Sequence, residues 1–410
     1  MPEPQYYDDK LGHRRYSLAS LREKVEAQFR EETEGRPDIL NELDTRPKRM
    51  AEIGTVADYV LAQEHVQLPQ DARRQMIAQA VANLFYFGAL DTYLLDPDIT
   101  EVTIEGYYQV SIRRGFAPLE RVESPFDNQV HLERDLHAVL ATNGTLITAS
   151  HPFIEVGLTL HDRPVRASLI TPPVSPMYSV QLRLHPVMPF GLDDLVPNLL
   201  PEPGASLLRQ IMGAGRGLMV TGEAGSAKTT LINALLAELP NPTDALLIER
   251  AAEMRPPGGL ARRAGVPPLV TDPEGAVPFG AQIAEALAGD MPYWLVLDEI
   301  RGDDEGTPLG DALLSDKIGA MLAAFRGTSN PARLRSGFGM ALLKGNVHLS
   351  PAQIDTALRQ KLPYLAVLQR GKTGPHLALI ARWEGTQLVP LLTWEGGNLP
   401  CQITDAPRGL

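Results

Sequence analysis

The stretch Gly217-Leu-Met-Val-Thr221-Gly222-Glu-Ala-Gly225-Ser226-Ala227-Lys228-Thr229-Thr230-Leu-Ile-Asn-Ala decides how this chain is read. Its first five residues form a short apolar run of the kind that makes a buried strand, and residues 229–239 carry apolar side chains at helical spacing. Between them lies a loop of small residues. Strand, small-residue loop and helix in that order let backbone N–H groups curl round a phosphate at a helix N-terminus, where the dipole favours an anion. Gly222, Gly225, Ser226, Ala227 and Thr230 are expected to bind a nucleotide together with Lys228 and Thr229. Lys228 is spaced to reach the β- and γ-phosphates of ATP, and Thr229 to ligate Mg²⁺. Ala227 stands where glycine is usual; at the start of a helix an L-residue is expected to be sterically acceptable. A chance glycine-rich turn shares this composition but not these flanks.

Lysine usage supports the same loop. The 410 residues hold 38 Lys and Arg, of which only eight are lysine, and Lys228 is the sole lysine between Lys48 and Lys317. Arginine's planar fork replaces lysine on a solvated surface, but a ring of backbone amides admits only a compact ammonium on a slender stem. The rest of the composition bounds the class. At 44% hydrophobic and 21% charged residues the chain reads as globular, with two or three domains expected from its length. No run of about 18 apolar residues is long enough to span a bilayer. The opening MPEPQYYDDK has neither a basic nor an apolar leader region, so no signal peptide is expected. Cys401 alone excludes a disulfide framework or a cysteine metal cluster. A net charge of −12 without a basic stripe argues against nucleic acid as a partner. A cytoplasmic enzyme or binding protein is the expectation.

On the C-terminal side of the loop, strands and helices alternate: 245–248, 279–287, 294–297 and 308–314. That rhythm predicts a mainly parallel, doubly wound α/β sheet. The apolar strand at 294–297 ends in Asp298-Glu299, where an acid linked to the metal belongs. Asp298 is placed to hold the Mg²⁺ shell through water and Glu299 to polarise an attacking water; acids before a helix are also what an N-cap looks like. Glu249-Arg250-Ala-Ala-Glu253 ends the preceding strand, facing the usual ligand crevice, or else pairing at the surface with Arg250. Residues 362–394 read as an antiparallel extension.

On the N-terminal side, residues 1–85 read as a helical arm, with the charge-rich 1–50 expected to be mobile or weakly docked. Residues 86–188 alternate as a compact α+β domain, and a proline-spaced linker, 189–204, leads into the phosphate-loop domain at 205–400.

With these pieces in place the chain resembles the secretion ATPases of type II and type IV systems, most like the tight-adherence (Tad) pilus branch, over roughly residues 70–400. Gly88-Ala-Leu-Asp-Thr-Tyr-Leu-Leu-Asp-Pro-Asp-Ile-Thr-Glu-Val-Thr-Ile104, Val110-Ser-Ile-Arg-Arg-Gly115, Arg163-Pro-Val-Arg166, Gln181-Leu-Arg183 and Leu297-Asp298-Glu299-Ile300-Arg301 carry the likeness. The resemblance implies a RecA-like P-loop NTPase domain with a smaller N-terminal α+β domain. It also implies a hexameric ring beneath an inner-membrane platform protein, and Mg-ATP as the fuel for moving pilin or secreted substrate. By the same likeness Glu299 is the catalytic acid, Glu249 assists, and Arg166 and Arg183 help cover the nucleotide. Four elements depart from the family pattern. Ala227 replaces glycine, Arg250 replaces the second acid of the acidic box, no histidine occurs between His185 and His348, and 288–292 lacks the arginine pair. Two readings therefore stand open: an active motor, or a subunit of a mixed ring that binds ATP and turns it over weakly.

Overall fold

The computed structural model describes residues 6–404 apart from 11, 150, 242–243, 265–277, 290–292, 302–303, 317, 328–329, 346–348, 372–373 and 398–399. At its centre, six parallel strands lie in the order Ala261–Ala264, Ala245–Glu249, Trp294–Ile300, Ala320–Arg326, Leu218–Gly222 and Tyr364–Arg370. Pro375–Glu384, Gln387–Thr393 and Gln402–Ile403 extend the sheet antiparallel. The central strands are apolar over most of their length because helices cover both faces, and polar residues gather at their C-terminal ends. Leu218 and Val220 point to one side, against Leu208 and Ile211 of helix Glu202–Gly213 and Leu231 and Leu235 of helix Lys228–Leu236. Met219 points to the other, with Ile283, Leu309, Phe338 and Leu358 from four further helices. This is a RecA-like α/β architecture, with the phosphate loop at the C-terminal edge of a central strand.

Two expectations are corrected. Tyr364–Arg370 runs parallel to the phosphate-loop strand, Leu365 opposite Met219, and only the strands after it are antiparallel. The helices Pro331–Gly345 and Pro351–Lys361 supply the crossover that a parallel strand needs. Nor does the N-terminal segment dock weakly. Helices Leu18–Thr33, Arg46–Gln63 and Gln70–Phe85 share a core in which Leu21, Val25 and Phe29, spaced four apart, meet Ile53, Val56, Val60, Met76 and Val81. Each such burial is worth about 1.5–3 kcal/mol. The bundle is tied to the next domain by Arg22, which donates to Asp127 at 2.9 Å.

Between bundle and P-loop domain lies a six-stranded antiparallel sheet ordered Glu120–Val122, Gln109–Arg114, Ile99–Glu105, Ser179–Leu184, Arg163–Ile170 and Phe153–Leu160. Its period-two patterning makes two unlike faces. Ile154, Val156, Ala167, Leu169, Val180 and Leu182 pack with Leu132, Leu136 and Leu140 of helix Gln129–Ala141. Glu155, Gly157, Arg166 and Arg183 fall on the opposite face. Their pairing, Gly157 with Arg166 and Arg166 with Arg183, lines them up across three strands. That charged face is turned toward the P-loop domain.

Candidate functional site

The phosphate loop is fixed by sterics at its start. Gly222 has φ +156°, and a Cβ there would lie 2.4 Å from Ser226 Oγ and 2.5 Å from the Leu368 carbonyl, so only glycine fits. Gly225, at φ +72°, also needs its freedom. Ala227 is the correction: it adopts φ +69°, ψ +27°, the left-handed conformation, so its methyl is strained there rather than accommodated as expected. Such a residue costs about 1–2 kcal/mol, which the loop sustains in place of the usual glycine.

Lys228 is only 8% exposed and donates from Nζ to the carbonyls of Gly222 at 3.1 Å and Glu223 at 3.0 Å. Glu299 Oε1 lies 4.0 Å away. Burial, joined by the like charges of Arg183, Arg326 and Arg166 and opposed by Glu299, holds the ammonium below its ordinary range. Neither the Arg183 nor the Arg326 side chain makes a hydrogen bond or ion pair with a described residue, although the Arg183 charge acts on Glu101 and Glu253. Arg326 ends the strand beside the loop, opposite Gly222, in the neighbourhood where the family histidine was expected. Arg370 ends the strand on the other flank, with Nη1 3.6 Å from where a Cβ on Gly225 would stand. Ser226 Oγ and Thr221 Oγ1 are buried without partners. Surplus positive charge, orphaned hydroxyls and a glycine-shaped cradle at a helix N-terminus together fit a polyphosphate.

The acids divide their work differently from the sequence expectation. Glu249 is wholly buried, and its Oε1 accepts the N–H groups of Glu253 at 3.2 Å and Met254 at 2.9 Å, which organises the turn. Glu253 is the carboxylate that reaches the loop: Thr229 Oγ1 donates to it at 3.3 Å. Burial works against its charge, yet His185 at 3.2 Å and Arg166 at 3.2 Å hold it down at about 2. Sequence reasoning named Glu253 within the turn but did not choose it, since two carboxylates four residues apart look alike in a string. Asp298 accepts the N–H of Arg250 at 2.8 Å and of Glu299 at 2.6 Å, and burial beside Glu253 pushes it up to about 8. Arg250 pairs with neither Glu249 nor the loop; it donates to Glu305 at 2.5 Å and lies over the Phe279 ring. Thr230 sits within the helix. Residues 290–292, part of the stretch that lacks the family's arginine pair, lie outside the described residues.

No cluster of three or more His, Cys, Asp or Glu side chains among the described residues could hold a metal. Magnesium suits such a site, because it keeps waters and takes phosphate oxygens alongside one or two protein ligands.

The charged face of the N-terminal sheet closes over this region. Gly157 lies so close to the acidic turn that a Cβ would fall 2.0 Å from Ala252 N. Arg255 donates to the Asp162 carbonyl at 2.7 Å, and Arg301 to both oxygens of Glu155. Among the described residues no helix is long and apolar enough to cross a membrane.

No protein-family model matches the chain. It is similar to the conjugal transfer protein TrbB of Rhizobium radiobacter, 28% identical over 153 residues, which cover 32% of this chain and 46% of that protein. The chain thus spans about half the length of the curated relative it matches. Among solved structures, it is similar to the VirB11 ATPase of the Brucella suis type IV secretion system in complex with sulphate (21% identity, 73% of this chain, 96% of that one, TM-score 0.37). It is also similar to the Legionella pneumophila ATPase DotB (14%, 70%, 77%, 0.47) and the pilus retraction motor PilT with bound ADP (14%, 71%, 80%, 0.46).

Proposed function

We propose that the chain binds Mg-ATP at the 222–230 loop and acts as an ATPase subunit of a secretion or pilus-assembly machine. One observation carries this reading: a buried Lys228 held by its own loop carbonyls, with the Arg183 and Arg326 guanidinium groups close enough to act on its charge and in no side-chain hydrogen bond or ion pair with a described residue. Several cationic groups gathered at a helix N-terminus suit a triphosphate. In this assignment the loop amides from Gly225 to Lys228 and the Lys228 ammonium take the β- and γ-phosphates. Thr229 and, through water, Asp298 would hold Mg²⁺, and Ser226 and Thr230 belong to the same nucleotide-binding set. Bound magnesium supplies charge neutralisation at the phosphoryl oxygens. Glu299, 4.0 Å from the Lys228 ammonium, would orient a water and accept its proton, while Glu253 positions the Thr229 hydroxyl. Arg166, Arg183 and Arg326 answer the charge that develops on the transferred group.

A second reading, a subunit with weak turnover in a mixed ring, draws on Arg250. Where the family box has a second acid, this side chain is spent on Glu305. The ring, a membrane-platform partner, a cytoplasmic location against the inner membrane and the Tad-type pilus assignment rest on the sequence resemblance alone.

Titration with a fluorescent ATP analogue tests the core of the proposal. Lys228→Ala is expected to weaken binding by about 10–100-fold, the loss of one or two charge-assisted contacts. Equal affinity in the variant, or no binding by the unmodified chain, overturns it.

A further inference from the structure

Arg301 stands one residue beyond the strand that ends in Asp298-Glu299-Ile300, and it is shared between two domains. Its Nε donates to Glu299 Oε2 at 2.8 Å. Its Nη1 and Nη2 donate to Glu155 Oε2 at 2.9 Å and Oε1 at 3.1 Å, a bidentate pair across the domain boundary. Glu155 in turn accepts from Arg166 Nε at 2.9 Å, and Arg166 Nη1 donates to Glu253 at 3.2 Å. Glu253 then receives the Thr229 hydroxyl. A continuous charged chain, Glu299–Arg301–Glu155–Arg166–Glu253–Thr229, therefore leaves the phosphate loop through one carboxylate and returns through another. Its middle member is the only one of the three acids that belongs to the N-terminal sheet.

We infer that Glu155 is a positioning residue for Glu299: by clamping the Arg301 fork, strand Phe153–Leu160 sets the direction of the carboxylate that faces Lys228. The inference rests on the reading of Glu299 as the water-orienting acid. The geometry favours positioning over a mere surface ion pair. Isolated exposed pairs contribute little, but a planar fork gripped by one bidentate carboxylate can rotate very little about the second. The two Glu299 oxygens are already divided, Oε2 to Arg301 and Oε1 toward Lys228. Glu155 is likewise held from both sides, by Arg301 and Arg166. Gly157, two residues on and on the same face, sits against the Ala251-Ala252 backbone and keeps this strand in register with the site. A shift of the N-terminal domain thus reaches Glu299 through one rigid linkage, with no rearrangement of the loop.

The test uses the full chain with Glu155→Gln, which keeps the side-chain shape, alongside Arg301→Gln, the double variant and Glu299→Gln. Expected are a fall in kcat on the order of tenfold to a hundredfold with KM and ATP-analogue affinity unchanged, and a double variant no slower than either single. Hydrogen exchange on the nucleotide-free chain gives a readout independent of turnover. Glu155→Gln should speed exchange in the peptide covering 294–301 and leave the 222–230 loop unchanged. Multiplying effects in the double variant, a changed KM at constant kcat, or loosening spread equally over the loop would each overturn the inference. If the unmodified chain turns over no faster than Glu299→Gln while the exchange coupling is present, the hydrolysis reading fails and the linkage stands. If turnover depends on Glu299 but neither kcat nor exchange responds to Glu155, the linkage fails and the hydrolysis reading stands.

Discussion

Glu253 Oε1 accepts the Thr229 hydroxyl at 3.3 Å and the Arg166 guanidinium at 3.2 Å, so one carboxylate oxygen joins the phosphate-loop helix to the N-terminal sheet. The residue expected to bind magnesium is thus engaged by an acid that is itself held by the other domain. Any ligand that draws Thr229 away must alter this junction, which gives nucleotide binding a direct route to domain placement.

The two acids of the turn should separate cleanly in mutants. Glu253→Gln is expected to lower turnover while the protein stays folded, since the amide keeps the shape and one acceptor. Glu249→Ala is expected to lower stability by about 1–3 kcal/mol, because the buried N–H groups of Glu253 and Met254 would lose their acceptor. Denaturant unfolding and steady-state ATPase on both variants check this; the reverse pattern would restore Glu249 as the active acid.

Ala227→Gly should stabilise the ligand-free chain. Relief of the left-handed strain is worth about 1–2 kcal/mol, and the added freedom of glycine in the unfolded chain returns about 0.4–1 kcal/mol. A net gain of about 0.5–1 kcal/mol in chemical denaturation is expected, and a loss of stability would contradict the conformation described for the loop.

Gly157→Ala should part the domains. Its methyl would meet backbone atoms of Ala251 and Ala252, which cannot swing aside as a side chain would. A stability loss of about 1–3 kcal/mol is expected, with faster hydrogen exchange in the 249–254 turn. Exchange indistinguishable from the parent would show that the close contact is not maintained in solution.

The Glu155 junction carries a pH signature. Burial opposes its charge, but Arg301 and Arg166 outweigh it and lower the carboxyl from 4.5 to about 2. A depressed folded-state value means the contribution to stability is complete above about 4.5 and fades as pH falls toward 2. Glu155 is about one-third exposed, so screening keeps the amount small. The stability difference between parent and Glu155→Gln should widen from pH 2 to 5 and then level off; a difference independent of pH would contradict the pairing.

What was legible in the sequence was local. Gly222 to Thr230 announces itself because strand, loop and helix are contiguous, and Asp298-Glu299 because an apolar strand ends there. Ala320–Arg326 is not legible as a strand, since a buried run such as Ala-Met-Leu-Ala-Ala-Phe has no alternation to distinguish it from helix. The docking of the N-terminal helix is not legible locally, because Leu21, Val25 and Phe29 find their partners 24 to 60 residues away. The linkage from Glu155 to Arg301 spans 146 residues, and nothing in either neighbourhood signals it. The choice between Glu249 and Glu253 depends on which way a five-residue turn folds over.

The central claim is that the loop binds Mg-ATP and that Glu299 acts on it. Steady-state ATPase of the pure protein, measured beside Lys228→Ala and Glu299→Gln, tests that most directly. A rate that both substitutions abolish, with ATP-analogue binding lost in Lys228→Ala and kept in Glu299→Gln, is the predicted result. A rate no higher than that of the two variants, with nucleotide still bound, would contradict the motor and leave a nucleotide-binding subunit of a mixed ring.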